Sequence, residues 1–253
     1  MPEPEVLPGA EPFSSRDGTN GALVLHGFTG NPQSMRGLAE AFARAGFATE
    51  LPRLPGHGTT PADMATTRWD DWAAAADTAY ADLARRCEKV VVAGLSMGGT
   101  LTVWLAAKHP EIAGIVVING AVAAIDNPEE MRAGMEALLA SGTEFIPAIG
   151  NDVADPDATE LAYDQTPVAS LLSLFDAVDE LQPRLADVRC PALIMTAPND
   201  HIVPPASSDH LAISISGPVT RVTLERSFHV ATLDYDKDLI EREAVAFARR
   251  VTG

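Results

Sequence analysis

The chain has 253 residues, enough for one large α/β domain with a substantial core and room for a small insertion. Its 35 acidic and 18 basic residues leave a net charge of −17, and a surface of that sign repels phosphate backbones and anionic headgroups. Nucleic acid and stable attachment to acidic membranes are disfavoured, whereas a neutral substrate fits; the excess charge also serves solubility on its own.

The first residues, Met1-Pro2-Glu3-Pro4-Glu5, lack the basic and apolar regions of a secretory signal, which points to the cytoplasm. A first apolar run, Ala22–Leu25, is followed by His26-Gly27-Phe28-Thr29-Gly30 and a segment of helical period, Met35–Ala45. Next come a strand over Phe47–Leu51, the loop Pro55-Gly56-His57-Gly58, a helix over Trp69–Arg86 and the β-branched run Val90–Ala93. A helix over Thr100–Lys108 and a strand over Ile115–Ile118 continue the alternation. The stretch from Ile112 to Ile125 is interrupted by Asn119 and two glycines and is too short to span a bilayer. Beyond residue 190 lie Ala192–Thr196, the helical Ser207–Ile215, Val219–Leu224 and a closing helix over Leu239–Val251. Alternation of this kind predicts a mostly parallel central sheet with helices on both faces.

One interval breaks the pattern. From Ala121 to about Leu185 no strand is evident, and two helical stretches flank a polar passage with Asn151, Asp152, Asp155, Asp157 and Glu160. In the second stretch Val168, Leu171, Leu172, Phe175, Val178 and Leu181 mark one apolar face. An insertion after the strand ending near Ile118 lies above the carboxyl ends of the strands, where it reads as a cap. The expected division is therefore a core of residues 1–120 and 186–253 and a cap of residues 121–185.

Two cysteines supply neither a metal cluster nor a disulfide framework. Cys87 and Cys190 each precede a strand; with one strand between them they stand about 9–10 Å apart, beyond the roughly 7 Å that a disulfide bridges.

The chemistry centres on Gly94-Leu95-Ser96-Met97-Gly98, which follows a strand and precedes a helix. That layout is a nucleophile elbow, a sharp turn that pushes a serine hydroxyl into a cleft. A serine hydroxyl is a weak nucleophile at neutral pH and needs a base, which in turn needs an orienting acid. The order nucleophile, acid, base is met by Ser96, by Asp200 after the strand Ala192–Thr196, and by His229 after Val219–Leu224. Asp126 is the rival acid, while Asp234 and Asp236 lie beyond His229 in the wrong order. Oxyanion donors are expected at the backbone N–H of Met97 and of Phe28, whose ring could also wall a pocket. Among the other histidines, His26 and His57 read as loop braces, His109 as a helix C-cap, and His201 and His210 as surface residues. None shows zinc spacing, and neither a GxxxxGK(S/T) phosphate loop nor a GxGxxG pattern is present, so neither metal nor cofactor is expected.

Taken together, the His26–Gly30 and Pro55–Gly58 loops, Gly94-Leu95-Ser96-Met97-Gly98-Gly99, Asn199-Asp200-His201 and Phe228-His229-Val230-Ala231-Thr232-Leu233-Asp234 resemble the bacterial monoacylglycerol lipase and small carboxylesterase group of the α/β-hydrolases. In the cap, Glu160-Leu161-Ala162-Tyr163 with Thr166-Pro167 resembles the monoacylglycerol lipases in particular. The resemblance implies an α/β-hydrolase fold with its cap after the sixth strand of that fold. It also implies Ser96, Asp200 and His229 as the triad, with Phe28 and Met97 at the oxyanion hole. A small lipid ester would be cut to glycerol and fatty acid without a cofactor, with at most transient contact with a membrane surface. Phe145, Ile146, Ile149, Leu171, Leu172 and Phe175 are then candidates for an acyl tunnel, and Glu160 for its glycerol end. A carboxylesterase of broader or short-chain preference and a non-catalytic lipid-binding relic stand as alternatives.

Overall fold

The computed structural model describes residues 4–123 and 128–253. The N-terminal part contributes β1 (Phe13–Ser15), β2 (Gly21–Leu25), α1 (Arg36–Arg44), β3 (Ala48–Leu51), α2 (Pro61–Met64), α3 (Trp69–Ala84), β4 (Val90–Leu95), α4 (Met97–Lys108) and β5 (Gly114–Ile118). The interval that breaks the alternation forms α5 (Pro128–Ala140), β6 (Phe145–Pro147), β7 (Gln165–Pro167) and α6 (Val168–Leu181). The chain closes with β8 (Ala192–Thr196), α7 (Pro205–Ser214), β9 (Val219–Thr223) and α8 (Lys237–Thr252).

Seven strands form one sheet in the order β1-β3-β2-β4-β5-β8-β9. Every neighbouring pair is parallel except β1 with β3. The central strands β2, β4, β5 and β8 are buried along their whole length, which is why they read as near-continuous apolar runs and not as alternation. Successive side chains still divide between two layers. Leu23, Leu25, Val92, Val117 and Ile194 meet Trp72, Leu83, Leu101 and Leu105 of α3 and α4. Val24, Val91, Val116 and Met195 meet Phe42 of α1 and Ile240 and Phe247 of α8. The register pairs Leu25 with Gly94, Leu95 with Ile118, Ile118 with Met195 and Thr196 with Thr223. The carboxyl ends of five strands thus line one rim.

Three differences from the sequence reading have physical causes. β1 went unread because Phe13-Ser14-Ser15 holds a single apolar residue; it is an edge strand held by pairing with β3 and by Ser14 Oγ donating to Glu50 Oε1 at 2.8 Å. α4 begins at Met97, three residues before Thr100, because the helix starts directly after Ser96. The interval between β5 and β8 does contain strands: β6 and β7 form an antiparallel two-stranded ribbon. Three residues each, including Pro147 and Pro167, are too few to show a period.

The second helix of that interval also joins the main core. Leu174, Ala177, Val178 and Leu181 of α6 belong to the layer formed by α3 and α4. Cys87 and Cys190 are free and precede β4 and β8, with β5 between these strands. Among the described residues, no helix is long and apolar enough to cross a membrane.

Candidate active site

Ser96 lies between β4 and α4 with φ 56° and ψ −120°. A left-handed φ on a residue that carries a Cβ costs about 1–3 kcal/mol and persists where the surroundings enforce it. Here the enforcement is close packing. A Cβ on Gly94 would stand 2.0 Å from Gly98 O, and one on Gly98 would stand 2.2 Å from Leu25 O. Both glycines are needed for that approach of helix to strand, while the strained backbone falls on the serine itself. Ser96 N donates to Ile118 O at 3.0 Å, which ties the elbow to the end of β5.

Asp200 follows β8 and His229 follows β9, and the structure brings them together. His229 Nδ1 and Asp200 Oδ2 are 2.8 Å apart, with side chains 9% and 1% exposed. The other oxygen, Asp200 Oδ1, accepts from Ile202 N and Val203 N, each at 2.8 Å. Three bonds thus fix the carboxylate.

Asn119, which no sequence motif marks, braces this rim. It directly follows β5 with φ 44°, accepts from Ala197 N at Oδ1 (2.8 Å) and donates from Nδ2 to His229 O (2.8 Å). Its signal was present: a buried amide at the end of a five-residue apolar strand must find partners.

The expected oxyanion donors lie on the same rim. Gly99 N and Thr100 N both bond to Ser96 O, at 2.8 and 3.1 Å, and the N–H of Met97 precedes them at a helix N-terminus, where no intrahelical acceptor exists. In the loop after β2, Thr29 takes φ 61° and its hydroxyl donates to Phe28 O at 2.6 Å, which fixes the Phe28 carbonyl. A Cβ on Gly27 would stand 3.4 Å from Ser96 Cβ, so this loop passes directly beside the serine. The Phe28 ring meets Trp72 edge-on at 5.6 Å.

His26 and His57 brace the neighbouring loops, as their positions suggested. His26 Nε2 accepts from Leu54 N at 3.1 Å, and His57 Nδ1 lies 3.0 Å from Pro55 O. Burial holds His26 well below the usual imidazole range and brings His57 down to about 4, so both are neutral near pH 7. Of the other three, His109 caps α4 and His201 is exposed as expected, whereas His210 departs. His109 does sit at the C-terminus of α4, but its ring contacts Asp77 at 2.6 Å and stacks on Tyr80. His210 is half-buried and lies 2.8 Å from Gln182 Oε1. His201 is exposed but paired, its Nδ1 2.8 Å from Asp152 Oδ1.

A cavity of about 610 Å³ opens at Ser96 and Phe28. Its walls are mainly apolar: Met131 and Met135 of α5, Ile146 of β6, Ile149, and Leu171, Leu174 and Phe175 of α6. His201, Val203 and Pro204 close another side. Of the expected tunnel residues, Ile146, Ile149, Leu171 and Phe175 lie on this wall. Phe145 and Leu172 do not; adjacent strand residues point to opposite faces, so Ile146 takes the place expected of Phe145. Ile149 is 74% exposed and stands at the edge of the cavity.

Glu160 is absent from the cavity wall. Its carboxyl group turns inward, and a Cβ on Gly30 would stand 2.8 Å from its Oε1. Burial pushes the Glu160 carboxyl up to about 7, against the opposing pull of His229 and of the Ser34 hydroxyl. Asp126 lies outside the described residues. Asp234 and Asp236 prove to be buried acceptors. Asp234 takes four backbone N–H groups, from Ala154, Asp155, Phe228 and Tyr235, and Asp236 takes Arg226 N and the Ser227 hydroxyl.

A serine on an elbow after a central parallel strand, with acid and histidine after later strands on one rim, defines an α/β-hydrolase. The chain belongs to the Hydrolase_4 family, described as serine aminopeptidase, S33, which it matches over residues 20–236. It is 46% identical to a thermostable monoacylglycerol lipase of Bacillus sp. (strain H-257), over 98% of each chain. It is 26% identical to a carboxylesterase of Bacillus subtilis (strain 168), over 95% of this chain and 97% of that one. Among solved structures, one from work on the metagenome-derived lipolytic enzymes LipS and LipT superposes with a TM-score of 0.92 at 45% identity. That superposition covers 97% of this chain and 100% of the other.

Proposed function

We propose that the protein hydrolyses monoacylglycerols to glycerol and free fatty acid through an acyl-Ser96 intermediate. The observation that carries this reading is the apolar cavity of about 610 Å³ opening on Ser96, a volume within the range of small-molecule sites and a lining suited to an acyl chain. The extent of similarity to the Bacillus monoacylglycerol lipase supports the same substrate class.

In this mechanism His229 takes the Ser96 proton as the hydroxyl attacks the ester carbonyl. Asp200, on Nδ1, sets the tautomer that leaves Nε2 as the base and stabilises the imidazolium. The backbone N–H groups of Met97 and Phe28 receive the oxyanion, each worth about 10²–10³ in rate. As the tetrahedral intermediate collapses, the His229 proton passes to glycerol. Water, activated by the same histidine, then releases the fatty acid. Residues 121–185 act as the cap, with Ile146, Ile149, Leu171 and Phe175 along the acyl chain. We place the enzyme in the cytoplasm, meeting a neutral lipid ester by transient surface contact, since a net charge of −17 opposes lasting attachment to anionic bilayers.

Turnover of monoacylglycerols of graded chain length, measured against short-chain methyl and nitrophenyl esters, tests the substrate. Preference for medium or long monoacylglycerols is expected; exclusive use of short esters would instead establish the carboxylesterase reading. Ser96→Ala tests the mechanism: hydrolysis should fall by at least about 10³-fold, and parental activity in that variant would refute it.

A further inference from the structure

A carboxylate outside the proposed triad touches both loops that deliver its acid and base. Asp152 follows the ribbon strand β6 in the cap interval, and its side chain is 12% exposed. Its Oδ2 accepts from His229 N at 3.0 Å and from His201 N, next to Asp200, at 3.3 Å. Its Oδ1 lies 2.8 Å from His201 Nδ1, and its backbone carbonyl accepts from Val230 N at 3.0 Å.

The consequence for His229 is specific. Its imidazole is held by Asp200, its carbonyl oxygen by Asn119 Nδ2, and its N–H by Asp152. The peptide groups on both sides of its Cα are therefore pinned, one from the end of β5 and one from the cap interval. With either pin removed, that peptide can turn and carry the imidazole off line, and a shift of about 1 Å at a reacting group costs up to about 10²-fold in rate.

We propose that Asp152 is a positioning residue, joining the acid loop to the base loop and making this stretch of the cap interval a fixed part of the catalytic frame. The inference rests on the triad reading given above. Asp152 touches no substrate atom; it acts through the backbone of His229. Removing it need not unfold the stretch, because Asp234 independently holds Ala154 N and Asp155 N at 2.7 and 3.0 Å.

The test is steady-state hydrolysis of a soluble short-chain nitrophenyl ester by the full chain, with kcat referred to the folded fraction measured by circular dichroism. Asp152→Ala should lower kcat by at least about 10-fold with KM within about twofold of the parent. Asp152→Asn keeps a carbonyl oxygen where Oδ2 stood, accepting both N–H groups, and should return kcat to within about threefold of the parent. That rescue separates position from charge. An alanine variant within twofold of the parent kcat overturns the proposal, and so does an asparagine variant as slow as the alanine one. Should the alanine variant fail to fold, Asp152→Ser, too short to reach both N–H groups, carries the same expectation. Ser96→Ala measured alongside separates the two levels: an active Ser96→Ala refutes the triad, whereas an inactive one beside a fast Asp152→Ala refutes this inference alone.

Discussion

The two halves of the interval between β5 and β8 are held in different ways. Residues 152–163 are stitched to loops of the core by a set of hydrogen bonds. Asp234 takes two of their N–H groups, Tyr163 N reaches Thr29 O, and the Tyr163 hydroxyl accepts from Thr59 N and donates to Gly56 O. Asn31 and Gln33, beside the proposed oxyanion loop, add bonds to Leu161 and Thr159. In α5, by contrast, no residue from Glu129 to Ala140 is buried. That helix leans on α6 through Arg132, which pairs with Asp176 and, at 2.7 Å, with Asp179. An amphipathic helix with no buried side chain is held weakly. The difference predicts a rigid jaw at residues 152–163 and a loosely attached flap at α5, with α5 and α6 together supplying part of the cavity wall.

The largest expected effect breaks the rigid half. Asp234 is fully buried and accepts four backbone N–H groups from two segments. Asp234→Ala leaves those donors without a partner and should lower stability by about 3 kcal/mol, read as a fall in the denaturant midpoint at unchanged slope. A fall below about 1 kcal/mol would mean that the jaw is held mainly by other contacts. A smaller effect is expected from Tyr163→Phe, which deprives Thr59 N and Gly56 O of their shared hydroxyl and should cost about 1–2 kcal/mol. Equal losses in the two variants would remove the ranking of these anchors.

The mostly parallel sheet and the strand ends that carry Ser96, Asp200 and His229 were legible because each rests on a strong local signal. β-branched apolar runs mark strands buried on both faces, and Gly94 and Gly98 mark the elbow by the space they leave. What was not legible is what long-range pairing decides. Asn119, Asp152 and Asp234 look like loop polar residues in sequence, and their roles exist once β5, the cap interval and the His229 loop converge. Phe145 and Ile146 are equally apolar neighbours, and the pairing of β6 with β7 decides which one faces the cavity. Glu160 is polar and follows an acidic passage in sequence, and only the fold shows that its carboxyl packs beside Gly30.

That buried carboxyl sharpens the comparison through pH. Glu160 ionises at about 7 in the folded chain and near 4.3 in an unfolded one. Between those values the unfolded state has lost a proton that the folded state keeps, so this group makes stability fall as pH rises. The slope is about 1.4 kcal/mol per pH unit at its steepest, and the contribution is level below and above the window. Glu160→Gln removes the titrating group, so its stability relative to the parent should rise between pH 5 and pH 7. A parallel pair of stability curves would show that the carboxyl is solvated and that this part of the jaw is not rigid.

The smallest effect belongs to the flap. Arg132→Ala removes both ion pairs between α5 and α6, and such partly exposed pairs are worth about 0–1 kcal/mol. Global stability should therefore hardly change. Arg132 also lines the cavity, so the expected change is functional: KM for long-chain monoacylglycerols should shift by about twofold to fivefold, while kcat on a short soluble ester stays within about twofold. Salt should act in the same direction on the parent, since about 1 M ionic strength shortens the screening length to about 3 Å. A loss of stability in Arg132→Ala as large as that in Asp234→Ala would abolish the distinction between jaw and flap, because it would place α5 inside the cooperative core.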